Sequence, residues 1–183
     1  MSTLSYAVPN HWFDDAWCPY TKHQLELVQS YWELAEIATV QIIPRMLAKR
    51  ANHPLGQVCG PITTGGLGDR WLNLHRFHST ITALRRDGHH IFTQMPFEPA
   101  LVRLAEADKK HGRVCQILEG FYLPLFRSGL IRQVFFMPDW ATSAGASWER
   151  KLVAELGLEI IDLRPRHMPG HPGREPVSIA ASS

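Results

Sequence analysis

The sequence has little of several things. No apolar run approaches the roughly 18–20 residues needed to cross a bilayer. Cysteine is scarce: there are three among 183 residues, an odd number without CxxC spacing. That argues against a disulfide framework and a cysteine zinc site, and points to a reducing, cytoplasmic compartment. Charge of one sign is also lacking. Lys and Arg total 19 against 17 Asp and Glu, a net charge of +2, which leaves no field to draw nucleic acid. Residues 1–15 have neither a basic n-region nor an apolar h-region, so they do not read as a secretory signal. What is present is 45% hydrophobic and 20% charged, the composition of one globular domain able to bury a core. Six Trp and ten His suggest aromatic-lined surfaces and identify no chemistry by themselves.

Three zones differ in character. In residues 1–55, a helical extension, Leu25, Val28, Trp32, Ala35, Thr39 and Ile42 recur at steps of three and four. That spacing predicts one helix over Thr21–Ile43, with the stripe buried against the core or a second subunit. Thr21 or Asp15 is its expected cap, Pro44 ends or kinks it, and a short helix is expected over Pro44–Ala51. Residues 56–163 alternate. Strands are expected over Gln57–Thr63, His90–Met95, Gln133–Met137 and Glu159–Leu163. Helices are expected over Trp71–Arg86, Glu98–Lys110, Val114–Phe126 and Ala144–Leu156. Apolar strands alternating with helices mean an α/β fold, a parallel sheet of about four to five strands covered on both faces through right-handed crossovers. Residues 164–183, rich in proline, read as an extended or disordered tail.

Ligands of such sheets bind beyond the carboxyl ends of the strands, and two loops there have unusual chemistry. In Gly60-Pro61-Ile62-Thr63-Thr64-Gly65-Gly66-Leu67-Gly68, small residues allow close backbone approach and free N–H groups can cradle an anion. The segment is neither a Walker A loop nor GxGxxG, and glycines also serve ordinary turns. In Pro138-Asp139-Trp140-Ala141-Thr142-Ser143-Ala144-Gly145-Ala146-Ser147-Trp148-Glu149, a Ser or Thr can cap the helix, and the helix start can also hold a phosphate. Glu149 is either a favourable partner of the helix dipole or a catalytic carboxylate. Cys59, at a strand end with no histidine in view, reads as core. His75 and His78 are spaced as a metal pair, but no third ligand converges, and His167 and His171 lie in the tail. Neither a metal nor a cofactor is expected.

Taken together, Val58–Gly66, Asn73, Phe77, Met137–Trp140 and Ser143–Glu149 resemble the nucleoside 2-deoxyribosyltransferase-like superfamily, which includes the 2′-deoxynucleoside 5′-monophosphate N-glycosidases. The nearest pattern is a bacterial and phage branch that runs GPMTG, LPGW and S-x-GA-x-x-E ahead of A-x-x-LG. Here Ala154-Glu155-Leu156-Gly157 stands in the place of the last piece, one residue shorter. The resemblance covers roughly residues 56–163, and the serine-to-glutamate spacing is its most specific element.

It implies a flavodoxin-like sheet and an enzyme acting on the N-glycosidic bond of a nucleotide or nucleoside. The glutamate matching Glu149 attacks the anomeric carbon, and the serine matching Ser143 holds the 5′-phosphate. Gly60, Pro61, Ile62, Thr63, Thr64, Gly65 and Gly66 hold the nucleotide, with Asn73, Trp140 and Gly145 completing the binding set. A homo-oligomer is expected. The pattern departs at one point: where the family places an aspartate upstream of the strand starting at Gln133, this chain has Tyr122–Phe126. Glu119 or Asp139 takes its place, or the activity is altered or lost. The resemblance leaves three functions as expectations: hydrolysis of a nucleoside 5′-monophosphate, transfer of its sugar, or silent nucleotide binding.

Overall fold

A computed structural model describes residues 12–165, Met168 and residues 176–177. The start of the chain and most of the tail, including His167 and His171, lie outside the described residues. The contacts gather into two compact units. One comprises residues up to Arg50 together with Thr93–Leu130, and the other comprises Ala51–Phe92 together with the chain from Ile131 onward. No helix among the described residues is long and apolar enough to cross a membrane.

The first unit is helical. The helix expected over Thr21–Ile43 is in fact two. α1 (Pro19–Leu27) starts after Cys18, capped by neither Thr21 nor Asp15, and ends where Val28 turns extended. Ser30 then caps α2 (Tyr31–Glu36) by accepting the Glu33 N–H at 3.2 Å, while the Glu33 carboxylate accepts the Gln29 N–H at 2.8 Å. This reciprocal Ser-x-x-Glu device outweighs the apolar stripe that runs across it. It also resets the phase of the helix that starts there. Tyr31, Leu34 and Ala35 turn inward, and Trp32 is 61% exposed, contrary to the expected stripe; Leu25, Val28 and Ile42 are buried as that stripe required.

Pro44 does not end the helix either. A π-helical turn, Ile37–Ile42, runs directly into α3 (Ile43–Lys49), with the Ile43 N–H reaching back to the Ala38 carbonyl. Proline lacks an N–H and its ring crowds the carbonyl four residues back, and widening the turn ahead of it relieves both. α4 (Arg70–Arg86) belongs to the second unit, and α5 (Glu98–Lys110) returns the chain to the first. The widened turn recurs at Pro124, where the π-helical turn Leu118–Tyr122 leads into α6 (Leu123–Arg127).

α5 has the expected bounds, although Ala105 is only half-buried. The helix expected from Val114 starts later, because Arg113 turns back onto the end of α5. Its N–H donates to the Asp108 carbonyl at 2.8 Å and its Nε to the Asp108 carboxylate at 2.9 Å. The Tyr31 hydroxyl donates to the other Asp108 oxygen at 2.8 Å. Gly120 permits this approach, since a Cβ there would lie 2.7 Å from the Tyr31 Cβ. In the core of this unit Trp17 packs edge-on to Phe97, which lies tilted against Phe121.

The second unit is the α/β body. β1 (Leu55–Cys59), β2 (His90–Phe92), β3 (Gln133–Phe136) and β4 (Glu159–Asp162) form an all-parallel sheet in the order β2-β1-β3-β4. With helices around it, this is a flavodoxin-like α/β arrangement. The strands are shorter than expected at their C-terminal ends. β1 stops at Cys59 because Gly60-Pro61 leaves the ladder, proline having no N–H to give it, and β2 gives way to a tight turn at Met95–Phe97.

α4 comes after β1 and packs on β1 and β2; α7 (Ala144–Glu155) comes after β3 and packs on β4. Leu74, Phe77, Ile81 and Leu84 are buried along α4 as their spacing required, but Trp71, on the first turn, is exposed. Trp148 is half-buried and Leu156, just past α7, is exposed. Two tail residues touch this unit: the His89 imidazole donates to the Val177 carbonyl at 2.7 Å, and the Thr80 hydroxyl approaches the Met168 sulfur at 3.9 Å.

Candidate active site

The strand order sets the place. From β1 the chain moves outward to β2, and from β3 it moves the opposite way to β4. Right-handed crossovers therefore send α4 and α7 to opposite faces. The loops leaving β1 and β3 both lie at the carboxyl edge of the sheet, the side on which open parallel sheets bind ligands.

Both loops are braced against each other. The Gly66 N–H donates to the Thr142 hydroxyl at 2.8 Å, and that hydroxyl donates to the Asp139 carbonyl at 2.8 Å. The buried Asn73 spends its whole amide on the first loop. Its oxygen accepts the Leu67 N–H at 2.9 Å, and its nitrogen donates to the carbonyls of Ile62, at 3.3 Å, and Gly65, at 3.1 Å. The glycines have packing reasons as well. A Cβ on Gly60 would meet the Met137 sulfur at 2.6 Å, and one on Gly66 would meet the Pro61 Cβ at 2.8 Å. One on Gly65 would meet the Thr142 carbonyl carbon at 2.5 Å. Gly65 and Gly66 also have positive φ. Pro61 is buried, Ile62 half-buried, and Thr63 and Thr64 are exposed at the loop's tip.

From the second loop, Ser143 caps α7 by accepting the Ala146 N–H at 3.4 Å, and it is 5% exposed. Gly145 lies half-buried on the first turn of that helix. Asp139 pairs with Arg76 of α4, leaving the second Asp139 oxygen and the Arg76 Nε buried without a partner. The sequence reading missed Arg76, although it lies three residues beyond Asn73 on the same helix and so shares its side. Trp140 packs edge-on to Phe136. The Arg150 guanidinium lies 4.5 Å from the Trp140 ring centre and forks onto Asp162 at 2.6 and 2.9 Å. Glu119 is exposed and belongs to the other compact unit.

Glu149 is 6% exposed, on the second turn of α7, and its carboxylate neighbours the Cys59 thiol at the end of β1. Burial first, then the neighbouring Glu149 carboxylate, push that thiol well above its ordinary range. Cys59 therefore remains a thiol near neutral pH and is not a thiolate nucleophile.

Compared with protein-family models, with curated proteins and with solved structures, the chain finds no match in any of the three.

Proposed function

We propose that the chain is an N-glycosidase that hydrolyses the base–sugar bond of a nucleoside or deoxynucleoside 5′-monophosphate, with Glu149 as nucleophile. The observation that carries this is a carboxylate buried at the carboxyl edge of a parallel sheet, on the helix that follows the loop braced against the glycine loop. Chemically, a Glu149 oxygen bonds to the anomeric carbon as the N-glycosidic bond breaks, and the departing base takes a proton from water. Water then cleaves the glycosyl ester and regenerates the carboxylate, the retaining-glycosidase sequence. Asp139, tied to Arg76, suits orienting a ligand rather than delivering a proton.

A second reading is silent nucleotide binding. It is favoured by the commitment of Asn73 and Ser143 to bracing and capping, which leaves less of the expected set free for a substrate.

The test is release of free base, tracked chromatographically, from a panel of ribo- and deoxynucleoside 5′-monophosphates. A parallel set of nucleosides is supplied with acceptor bases. The proposal expects release from a monophosphate, reduced by about three orders of magnitude or more in Glu149→Ala while the fold is retained. Base exchange without hydrolysis would turn the reading to a transferase, and binding without turnover to the silent protein. Undiminished release by Glu149→Ala would remove Glu149 as nucleophile.

A further inference from the structure

We infer that Cys59 is a positioning residue for Glu149, its thiol donating a hydrogen bond that orients the reacting carboxylate from the end of β1. The inference rests on the reading of Glu149 as the reacting group. Cys59 is the last residue of β1. Its register partner on β3 is Phe136. The Phe136 ring lies 4.8 Å from the Arg150 guanidinium of α7, so Cys59 lies on the α7 face, where Glu149 precedes Arg150.

Cys59 is 1% exposed and Glu149 6%, so thiol and carboxylate are both enclosed. A buried carboxylate needs donors, and a weak donor held in a dry site fixes it in direction. The thiol is well suited to this task because burial and Glu149 together keep it protonated.

Two measurements test the inference. In the full chain with Cys18→Ser and Cys115→Ser, Cys59 is the one remaining thiol, and its S–H stretch is read by infrared spectroscopy. Adding Glu149→Ala should move that band to higher frequency and narrow it, as a hydrogen bond is lost. The second measurement is base release. Cys59→Ala should lower kcat roughly tenfold with KM retained, and Cys59→Ser, which restores a donor, should recover most of the loss. An S–H band indifferent to Glu149→Ala overturns the contact. A Cys59→Ala variant with parental kcat, or a Cys59→Ser variant no better than it, overturns the positioning role. If the parent chain releases no base, the glycosidase reading fails together with the catalytic role of Cys59, and the infrared comparison still decides the contact.

Discussion

Replacing Gly65 by alanine measures how much the docking of the loops after β1 and β3 contributes, provided it is read against Gly68→Ala. Both glycines have positive φ, +72° and +76°. Each alanine therefore incurs the left-handed backbone penalty of about 1–2 kcal/mol, offset in part by the smaller entropy of the unfolded chain. They differ in what lies opposite. Nothing approaches within 4 Å of a Cβ on Gly68, whereas one on Gly65 runs into the Thr142 main chain. Backbone cannot rotate away as a flexible side chain does, so an overpacking cost of about 1–3 kcal/mol is added at Gly65 alone. Moving Gly65 also strains the adjoining bond from the Gly66 N–H to Thr142. The expected difference between the two variants is about 2 kcal/mol, roughly 4–8 °C in Tm for a chain of this size. Thermal melts monitored by tryptophan fluorescence would read it, with Trp140 in the second loop as a local reporter. Equal Tm values for the two variants would show that the loops are not held by this contact.

Two further outcomes are expected. Cys18 should be the thiol that titrates near neutrality. The Thr21 hydroxyl, 3.1 Å from its sulfur, then the Thr21 main chain and the Arg45 guanidinium lower it from 9.0 to about 7. Its alkylation rate, measured by peptide mass spectrometry, should climb as pH rises through about 7 and then level off. Arg45→Ala should move that rise to higher pH, and an unmoved rise would refute the assignment. On α2, Leu34→Ala should cost about 2–5 kcal/mol in urea denaturation because that side chain is fully buried. Trp32→Glu, on the exposed side, should stay within about 0.5 kcal/mol of the parent; a large loss there would mean that Trp32 is covered in solution.

Elements with local signals were legible in the sequence. α5 needs only Pro99 in its first turn, leucines at helical spacing and Lys109-Lys110 in its last. The Val-Phe run of β3 and the strand–loop–helix rhythm that places Glu149 early in α7 are equally local. The break before α2 was legible too, in Ser30 and Glu33, but an apolar stripe running through it masked the signal. Trp32 could not be read correctly once that break was missed, because its facing depends on where the helix begins.

The rest belongs to contacts between residues far apart in the chain. Local preference acts over a few residues, whereas the sheet order β2-β1-β3-β4 brings Cys59 to Glu149 and Arg76 to Asp139. No spacing in the sequence encodes either pair. The glycine loop shows the same division. Glycines at 60, 65 and 66 announced a special backbone, and only the loop lying across them decided that they serve close packing. A glycine's neighbours along the chain do not say what a side chain there would strike. The sequence by itself therefore determined which residues could do chemistry and on which elements they ride. The tertiary structure decided which of them meet, which are spent on holding the loops, and that Glu149 is buried beside a thiol, because those outcomes depend on the order in which strands pair.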